Sequence, residues 1–151
     1  MSELITDDIR SWIGRSDKPV RFEVARRDII KYAIATEQQQ EKYLRGDEAP
    51  PMFLFAADRP LTPIADLGPD GLRRETLLPP LPLKRVMAGG VKQRYHRPVR
   101  PGDVLLLTRT IEDIYEKQGS SGPLIFVVYD ISVTTEDGEL VMRETQTRIN
   151  R

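Results

Sequence analysis

The sequence has no cysteine, a single histidine (His96) and no net charge, and each of these gaps excludes a class of function. Without cysteine the chain forms no disulfide, binds no zinc through thiolates and has no cysteine nucleophile. Because 23 Lys and Arg residues balance 23 Asp and Glu residues, no overall field draws the protein to nucleic acid. We therefore expect a protein of a reducing compartment that binds neither a metal nor nucleic acid.

Long apolar runs are missing as well. No stretch approaches the roughly 20 apolar residues that a membrane helix requires. The first residues, MSELITDDIRSW, carry acids where a secretory signal has a basic patch and an apolar run. We therefore expect a cytoplasmic protein without a membrane partner.

What the chain does contain is enough for one domain over residues 1–151. Hydrophobic residues make up 39% of the sequence and charged residues 30%, which is typical of a globular domain. A domain of this length buries roughly 70% of the surface that its unfolded chain exposes. One sizeable core is therefore possible.

The charges are unevenly spread. Between Arg73 and Arg100 the chain has eight Lys and Arg residues and one acid, Glu75. Such a cluster is either a solvated basic face or a site for an anionic partner. The sequence leaves both interpretations open.

The segment from Gly89 to Leu107 divides an irregular half of the chain from a regular one. It predicts a strand over Val91–Arg97, a turn at Pro101-Gly102 and a second strand from Asp103, because proline donates no ladder hydrogen bond and Pro-Gly suits a type II turn. Everything downstream of this segment predicts a β-meander.

The N-terminal half predicts two helices and a short strand. Apolar spacing indicates a helix over Leu4–Arg15 that ends near Gly14, and alternation indicates a strand over Val20–Val24. A second helix begins near Arg27 and runs to about Thr36, with a weaker extension to Leu44. Its apolar face comprises Ile29, Ile30, Ala33 and Ile34, and we expect this face to pack on a sheet.

An irregular, proline-rich segment covers residues 48–83. Its prolines are spaced too closely for an ordinary helix. The apolar run Met52–Phe55 argues against a disordered linker, since such linkers are poor in aromatic residues. We expect an ordered loop that covers a partner chain, a substrate channel or the sheet itself.

The C-terminal half predicts three long strands. They run over Val104–Gln118, with a bulge near Arg109, over Leu124–Thr135 and over Glu139–Ile149, and the last two are joined at Asp137-Gly138. Strands of this length suit a strongly curved antiparallel sheet. We therefore predict an α+β fold in which the sheet wraps around the helix from Arg27.

Several segments together resemble a known family. APPMF, LLPPLPLKRVMAGG, RYHRPVRPGDVL, YEKQGSSGPLIFVVYDISV and GELVMRETQTRINR follow one another as in the N-terminal half of MaoC-like dehydratases of the FAS1-like dehydratase group. LPPLPLKRVMAGG and KQGSSGPLIFV are most similar to the N-terminal half of mesaconyl-C4-CoA hydratase type enzymes. The resemblance runs from about Val20 to the end of the chain and implies a hot-dog fold.

The resemblance also implies a function. Such a domain pairs with a second hot-dog, fused or separate, to hydrate an enoyl thioester or dehydrate a 3-hydroxyacyl thioester, with coenzyme A thioesters as substrates and no cofactor. The family's chemistry belongs to an Asp-x4-His motif in the partner half. This chain lacks the motif, because the residue five positions before His96 is Val91.

We accordingly assign no catalytic residue to this chain and expect it to shape the acyl-CoA pocket. The predicted substrate-binding residues are Pro51, Met52, Phe53, Gly89, Gly90, Arg85, Arg94 and Arg97. Each also has a plain structural interpretation: packing for the apolar residues, a strand start for the glycines, a solvated face for the arginines.

Two other functions stay open. The first is a thioesterase that activates water with a lone acid, for which the candidates are Asp47, Glu48 and Glu41. His96 is a further catalytic candidate; its alternative role is that of a hydrogen-bonded structural residue in its strand. The second is a homodimer that binds acyl-CoA without turnover. A purified chain that hydrolyses a thioester unaided, and loses this activity with one acid, would distinguish the thioesterase from the other two.

Overall fold

A computed structural model describes residues 4–151 of the chain. Five antiparallel strands form one sheet in the order β1-β3-β4-β5-β2. The strands are β1 (Val20–Glu23), β2 (Val86–Tyr95), β3 (Val104–Gly119), β4 (Gly122–Thr135) and β5 (Leu140–Asn150). The α-helices are α1 (Asp7–Arg10), α2 (Arg26–Ala35) and α3 (Glu41–Leu44), and a 3-10 helix spans Ile64–Asp66.

The C-terminal meander was predicted almost in full. Gly119 pairs with Gly122, so the turn between β3 and β4 is a tight hairpin at Ser120 and Ser121. The β3 bulge lies between Ile111 and Asp113, slightly beyond the predicted position at Arg109. β2 begins earlier than predicted and includes both Gly89 and Gly90, with a bulge between Ala88 and Gly90.

The core lies on the inner face of the sheet, where α2 packs. Alternate residues of β4 are at most 3% exposed, and Ile29 of α2 belongs to the same buried cluster. These β4 residues are Ile125, Val127, Tyr129, Ile131 and Val133. The predicted apolar face of the helix was correct for Ile29 and Ala33, which are fully buried, but wrong for Ile34, which is 64% exposed. The sheet covers a narrower stripe of α2 than the sequence suggested.

The first predicted helix is shorter than expected, whereas the second, α2 (Arg26–Ala35), matches its predicted range up to about Thr36. Helix α1 covers four residues, capped by Thr6, whose Oγ1 accepts from the Ile9 backbone N–H at 3.3 Å. The weaker extension of the second helix to Leu44 is wrong, because Glu37 takes a left-handed conformation (φ 54°) that interrupts the helix. The chain resumes as the separate helix α3.

The proline-rich segment is ordered but mostly irregular. Three of its leucines, Leu54, Leu77 and Leu81, are buried in the core beside the sheet. Other apolar residues of the segment point to solvent, such as Leu61, which is 102% exposed, and Ile64, which is 88% exposed. The segment therefore covers part of the sheet and projects beyond it.

The two edges of the sheet differ. At one edge, the short strand β1 pairs with β3. The chain before β1 also bonds to this edge of β3, because the Gly14 N–H donates to the Ile111 carbonyl at 2.8 Å. The other edge is β2, which pairs with β5 on one side and has no strand on its other side within the described residues. No helix in residues 4–151 has the length and apolarity needed to cross a membrane.

Candidate functional site

A cavity of about 280 Å³ opens beside the free edge of the sheet, between β2 and the proline-rich segment. One wall is apolar and comprises Phe55, Val86, Met87 and Val91. These four side chains are 41–51% exposed. Gly90, one of the predicted substrate-binding residues, lies in the same wall.

The floor of this cavity is polar. Strand register places Tyr129 of β4 opposite Gln146 of β5, and Gln146 opposite Val91 of β2. Because side chains alternate between the two faces of a strand, Arg148 shares the inner face with Gln146. Tyr129, Gln146 and Arg148 therefore all line the cavity.

Arg109 also reaches the floor, where two carboxylates neutralise it. Its side chain is 7% exposed and donates to Asp17 at 2.6 Å and to Glu75 at 2.6 Å. Burial lowers the pKa of Arg109, but the hydrogen bonds and charges of Glu75 and Asp17 outweigh it and raise the pKa overall. The guanidinium also lies 4.9 Å from the centre of the Tyr129 ring, a cation–π distance.

Tyr129 is fixed in the floor by its hydroxyl group. The hydroxyl donates to the Leu77 carbonyl at 2.8 Å, which joins the sheet to the proline-rich segment. Burial raises the pKa of Tyr129, and the charge of Glu75 adds to this effect. The phenol is therefore protonated at neutral pH and serves as a hydrogen-bond donor.

Two other arginines of the cavity have no carboxylate partner within residues 4–151. Arg148 is half-buried and donates from Nε to Asn150 Oδ1 at 3.1 Å. Arg59, at the end of the Phe55–Arg59 stretch, is exposed, and its side chain makes no hydrogen bond or ion pair in the described part of the chain. The charge of Arg148 contributes to the lowered pKa of Glu75 in the same cavity, so of these two arginines Arg59 alone is without an anionic neighbour among the interactions of residues 4–151.

A buried carboxylate lies next to this cavity on the inner face. Glu144 is 2% exposed and accepts hydrogen bonds from the side-chain amides of Gln93 and Gln146. Tyr95 extends the network by donating to Gln93 Oε1 at 3.3 Å. Burial raises the pKa of Tyr95 to about 12, so it remains a donor. The network connects β5 to β2, the strand at the free edge of the sheet.

A second cavity, of about 380 Å³, brings together several residues predicted from the sequence. Glu48, Pro51, His96 and Arg97 all line it, together with Tyr95. His96 lies one residue beyond β2, is exposed, and its ring has no hydrogen bond within residues 4–151. It is therefore not the hydrogen-bonded strand histidine that we expected as its structural role.

The three candidate acids, of which only Glu48 lines the cavity of His96, are all paired with cations. Glu48 accepts from Lys42 at 3.0 Å. Asp47 binds Arg26 at 2.6 Å, and Glu41 binds Arg45 at 3.2 Å. No group of three His, Asp or Glu side chains in residues 4–151 is arranged to hold a metal ion.

The predicted arginines do not meet at one place. Arg97 donates to both carboxylate oxygens of Asp103, at 3.0 and 3.2 Å. Arg85 lines a third cavity, of about 370 Å³, beside the hairpin at Ser120 and Ser121. Arg94 is exposed and pairs across the strands with another arginine, Arg143.

The remaining predicted residues have different environments. Phe53 packs edge-to-face against Tyr32, with ring centres 5.7 Å apart, so it belongs to the packing around α2. Met52 is 38% exposed. Gly89 packs against Thr147 and Ile149 and does not line the cavity that contains Gly90.

The residues of the cavity floor were not predicted from the sequence. Gln146 and Arg148 alternate with Thr145 and Thr147 in β5, and this alternation was the available signal. Once β4 is recognised as buried on one face, the register of the hairpin at Asp137-Gly138 places polar β5 residues on that same face. Nothing local in the sequence indicates that Arg59 joins them.

Comparison with known proteins gives two relatives and a set of similar folds. Mesaconyl-C(4)-CoA hydratase of Chloroflexus aurantiacus is 29% identical over 145 residues, which cover 91% of this chain and 51% of that protein. The chain thus spans about half the length of this relative. A UPF0336 protein of Streptomyces griseus is 31% identical over 146 residues, which cover 88% of each chain.

Three solved structures illustrate the similarity in fold. The ChsH1–ChsH2 complex of Mycobacterium tuberculosis has a TM-score of 0.66 and 21% identity, covering 97% of this chain and 90% of that one. The C-terminally truncated HadBC 3R-hydroxyacyl-ACP dehydratase complex of the same organism has a TM-score of 0.62 and 20% identity, covering 97% of this chain and 100% of that one. A MaoC-like dehydratase of Rhodospirillum rubrum has a TM-score of 0.57 and 20% identity, covering 91% of each chain. The predicted α+β hot-dog fold, a curved antiparallel sheet around a helix, is confirmed. Residues 11–144 match the family described as FAS1-like, dehydratase domain region, and the chain belongs to this family of MaoC-like hot-dog dehydratase domains.

Proposed function

We propose that this chain is one half of an (R)-specific enoyl-CoA hydratase or 3-hydroxyacyl thioester dehydratase, and that a second hot-dog supplies the catalytic residues. One observation carries the proposal: the 280 Å³ cavity opens at the unpaired edge of β2, with four exposed apolar side chains in its wall. A second hot-dog placed along this edge closes the cavity. The chain then shapes the acyl pocket.

The chemistry requires groups that this chain lacks. In hydration, a base takes a proton from water as the water oxygen bonds to the β-carbon, and an acid delivers a proton to the α-carbon. A helix N-terminus stabilises the negative charge on the thioester oxygen. An Asp-x4-His motif provides such an acid–base pair, and the chain's single histidine has Val91 at the corresponding position.

The free edge also argues for a partner. A ten-residue edge strand exposes backbone donors and acceptors that attract another strand. For the hydratase function the partner is a second chain carrying Asp-x4-His; a second copy of this chain, which lacks the motif, would form the acyl-CoA-binding homodimer without turnover. The HadBC and ChsH1–ChsH2 structures are complexes of two different chains, and mesaconyl-C(4)-CoA hydratase is about twice as long as this chain; both facts support a second half.

Arginines on and beside β2, although they do not line the 280 Å³ cavity, suit the coenzyme A portion of the substrate. Arg85 and Arg94 lie on and beside β2 and have no carboxylate partner within residues 4–151. Arg97 follows the strand and is held by Asp103. In this proposal Arg85 and Arg94 bind the phosphates of coenzyme A, and Arg97 fixes the conformation of the loop that follows β2.

Co-expression tests the proposal. The chain is purified alone and together with a hot-dog protein encoded beside it, and each preparation is given a panel of enoyl-CoA thioesters while the loss of the conjugated thioester absorbance is followed. Hydration by the mixture alone supports the half-site function, and exchanging the partner's motif Asp for Asn then abolishes it. Equal hydration by the isolated chain contradicts it.

A second candidate function rests on the 380 Å³ cavity that holds Glu48 and His96. There a lone carboxylate would activate water for thioester hydrolysis, as in hot-dog thioesterases. Glu48 is 24% exposed and is paired with Lys42, so this ion pair must open before the carboxylate can contact a water molecule. Thioesterase activity of the isolated chain that falls with Glu48→Gln, and not with the matched Glu41→Gln, would establish this alternative.

A further inference from the structure

We infer that the outer face of the sheet, the face that points away from α2, is a second association surface on which two copies of this chain stack back to back. The inference starts from an apolar row that crosses four adjacent strands. Tyr115 of β3 lies opposite Phe126 of β4. Phe126 in turn lies opposite Ile149 of β5, and Ile149 lies opposite Met87 of β2. Because Ile125, next to Phe126, is fully buried in the core, the row lies on the outer face.

The core of the chain does not use this apolar row. None of its four side chains belongs to the core cluster or to the half-buried residues packed against that cluster. Tyr115 and Phe126 stack on each other with ring centres 4.9 Å apart, and Lys117 Nζ lies 5.2 and 5.4 Å from these centres. Met87 is 43% exposed. Within residues 4–151 the row is thus left largely to solvent.

The outer face is polar further along the same strands. One row there comprises Thr110, Asp130, Thr145 and Lys92, and the next comprises Thr108, Ser132, Arg143 and Arg94. A sheet face in contact with water is ordinarily polar along its whole length. The confinement of large apolar side chains to one end of this face therefore indicates a site of contact with another protein.

The charges beside the apolar row suit a second copy of the same chain. Asp113 and Lys117 flank Tyr115 on β3, about 13 Å apart along the strand, and neither forms an ion pair within residues 4–151. A two-fold axis along the row, perpendicular to the strands, brings Asp113 of one copy against Lys117 of the other and each row residue against its own equivalent. This self-complementary pattern favours a second copy over a partner of different sequence.

The curvature of the sheet limits the strength of this contact. The sheet wraps around α2, so its outer face is convex, and two convex faces touch along a strip such as the apolar row. A stable interface takes roughly 20 to 30 residues a side, and the row with its flanking charges supplies far fewer. We therefore expect isolated chains to stack only at about 0.1 to 1 mM, well above the concentrations of edge pairing.

Edge pairing should strengthen the stacking, and this step alone rests on the proposed function. A hot-dog placed along β2 extends the same outer face and enlarges the area that two stacked units share. Because the contact between copies is two-fold, it closes after one pairing. With a different chain as the edge partner, the assembly then contains two copies of each chain.

Charge reversal tests the two-fold contact, with sedimentation equilibrium of the full chain up to about 1 mM as the measurement. Asp113→Lys alone and Lys117→Asp alone each place like charges against one another, twice because of the two-fold axis, and should weaken stacking by about 10-fold. The double variant restores opposite charges and should stack within about 3-fold of the wild type. Within one chain the two sites are too far apart to couple, so this recovery requires contact between copies. A double variant weaker than either single variant contradicts the inference.

Ile149→Asp tests the apolar row, and Thr145→Asp is its matched control. Both residues are half-buried on the outer face of β5, but Thr145 belongs to a polar row. Ile149→Asp sets a carboxylate against its own equivalent and should weaken stacking by at least about 10-fold, whereas Thr145→Asp should leave it unchanged. Circular dichroism checks that both variants fold. Equal weakening by Thr145→Asp, or a wild type that stays monomeric throughout the series, contradicts the inference.

The complex with the partner hot-dog distinguishes a second copy from a different occupant. An assembly with two copies of each chain, which Ile149→Asp splits into units with one of each, supports the inference. If Ile149→Asp instead releases the partner chain while Val91→Asp retains it, the row binds the partner and the inference is wrong.

Hydration assays separate this inference from the proposed function. Ile149→Asp should leave the hydration rate of the complex unchanged, because the row lies on the face opposite the acyl pocket. A complex that hydrates its substrate and never exceeds one copy of each chain refutes the stacking alone. A stacked complex that does not hydrate any thioester refutes the hydratase assignment alone.

Discussion

Arg109 donates to both carboxylate oxygens of Glu75, from Nη2 to Oε1 at 2.6 Å and from Nη1 to Oε2 at 3.2 Å. The two residues belong to different parts of the fold, Arg109 to β3 and Glu75 to the proline-rich segment. Asp17, just before β1, binds the same guanidinium. One buried arginine thus fixes two irregular segments to the sheet, directly beneath the candidate acyl pocket.

Replacing Arg109 by Met should destabilise the domain. The change removes the cation and leaves the carboxylates of Asp17 and Glu75, each about a quarter exposed, facing each other. We expect the free energy of unfolding in urea to fall by about 2 to 3 kcal/mol, towards the lower end for a broken buried pair. Arg21→Met is the control: Arg21 pairs with Glu136 at the surface and is 50% exposed, so its loss should lower the free energy of unfolding far less than the loss of Arg109. Equal losses would contradict the role of Arg109.

The same interaction predicts how stability depends on pH. Burial raises the pKa of Glu75, but the hydrogen bonds and charge of Arg109 outweigh it and lower the pKa below its ordinary value of 4.5. A carboxylate with a lowered pKa in the folded state stabilises the protein above the unfolded pKa, and this contribution is lost as the pH falls through the folded pKa. The free energy of unfolding should therefore fall below pH 4.5.

Glu75→Gln tests this assignment, because glutamine keeps the shape and does not titrate. The variant should be less stable than the wild type at pH 7, and the difference should shrink as the pH falls from 5 towards 3. Urea unfolding at several pH values measures both curves. A difference that stays constant with pH would show that the charge of Glu75 is not what Arg109 recognises.

The regular half of this fold follows from local patterns, and the site does not. The strict alternation in β4 and the Asp137-Gly138 turn each have one favourable structure, so the meander was predicted with small errors at its ends. Ile34 was misassigned because helical spacing gives the direction of a side chain and does not reveal how far the sheet extends to cover it. That extent depends on contacts distant in sequence.

The candidate site depends on the same kind of distant contact. His96 and Glu48 are 48 positions apart in the sequence yet line one cavity, and both were selected for their chemistry alone. Arg148 was overlooked because an arginine near the end of a strand ordinarily lies at the surface. Its inner-face position emerges only from the register of β5 against β4. The resemblance to MaoC-like dehydratases supplied the fold and the expectation of a partner.

Gly89 should resist substitution for a steric reason. A Cβ atom at this position would lie 2.8 Å from Thr147 Cγ2 and 2.9 Å from Ile149 Cγ1. Gly89→Ala should lower the free energy of unfolding by about 1 to 3 kcal/mol, the cost of overpacking. Thr147→Ser removes the nearest methyl group, so the double variant should be more stable than the sum of the single changes by at least about 0.5 kcal/mol.

Gly90 provides the matched comparison. Its Cβ would meet no atom within 4 Å, but its φ of +134° is a conformation that other residues rarely adopt. Gly90→Ala should therefore also destabilise the domain, by about 1 to 3 kcal/mol of backbone strain, and Thr147→Ser should not relieve it. If Thr147→Ser restored stability to both alanine variants, or to neither, the distinction between steric contact at Gly89 and backbone strain at Gly90 would be contradicted.

The unpaired edge of β2 should determine assembly, and one pair of substitutions isolates it. Val91 on β2 and Ile13 near α1 are both 41% exposed, so an aspartate costs a similar small amount at either position in the isolated chain. In the Val91→Asp variant, a strand from a second hot-dog placed along β2 would bury the introduced carboxylate without a partner, at a cost of several kcal/mol. We expect Val91→Asp to weaken association with the second copy or partner chain by at least about 100-fold, and Ile13→Asp to leave it unchanged.

Sedimentation velocity over a concentration series measures the association of both variants. Association of the Val91→Asp variant at wild-type concentrations would show that the partner binds elsewhere, and equal weakening by Ile13→Asp would show that the effect is not specific to β2.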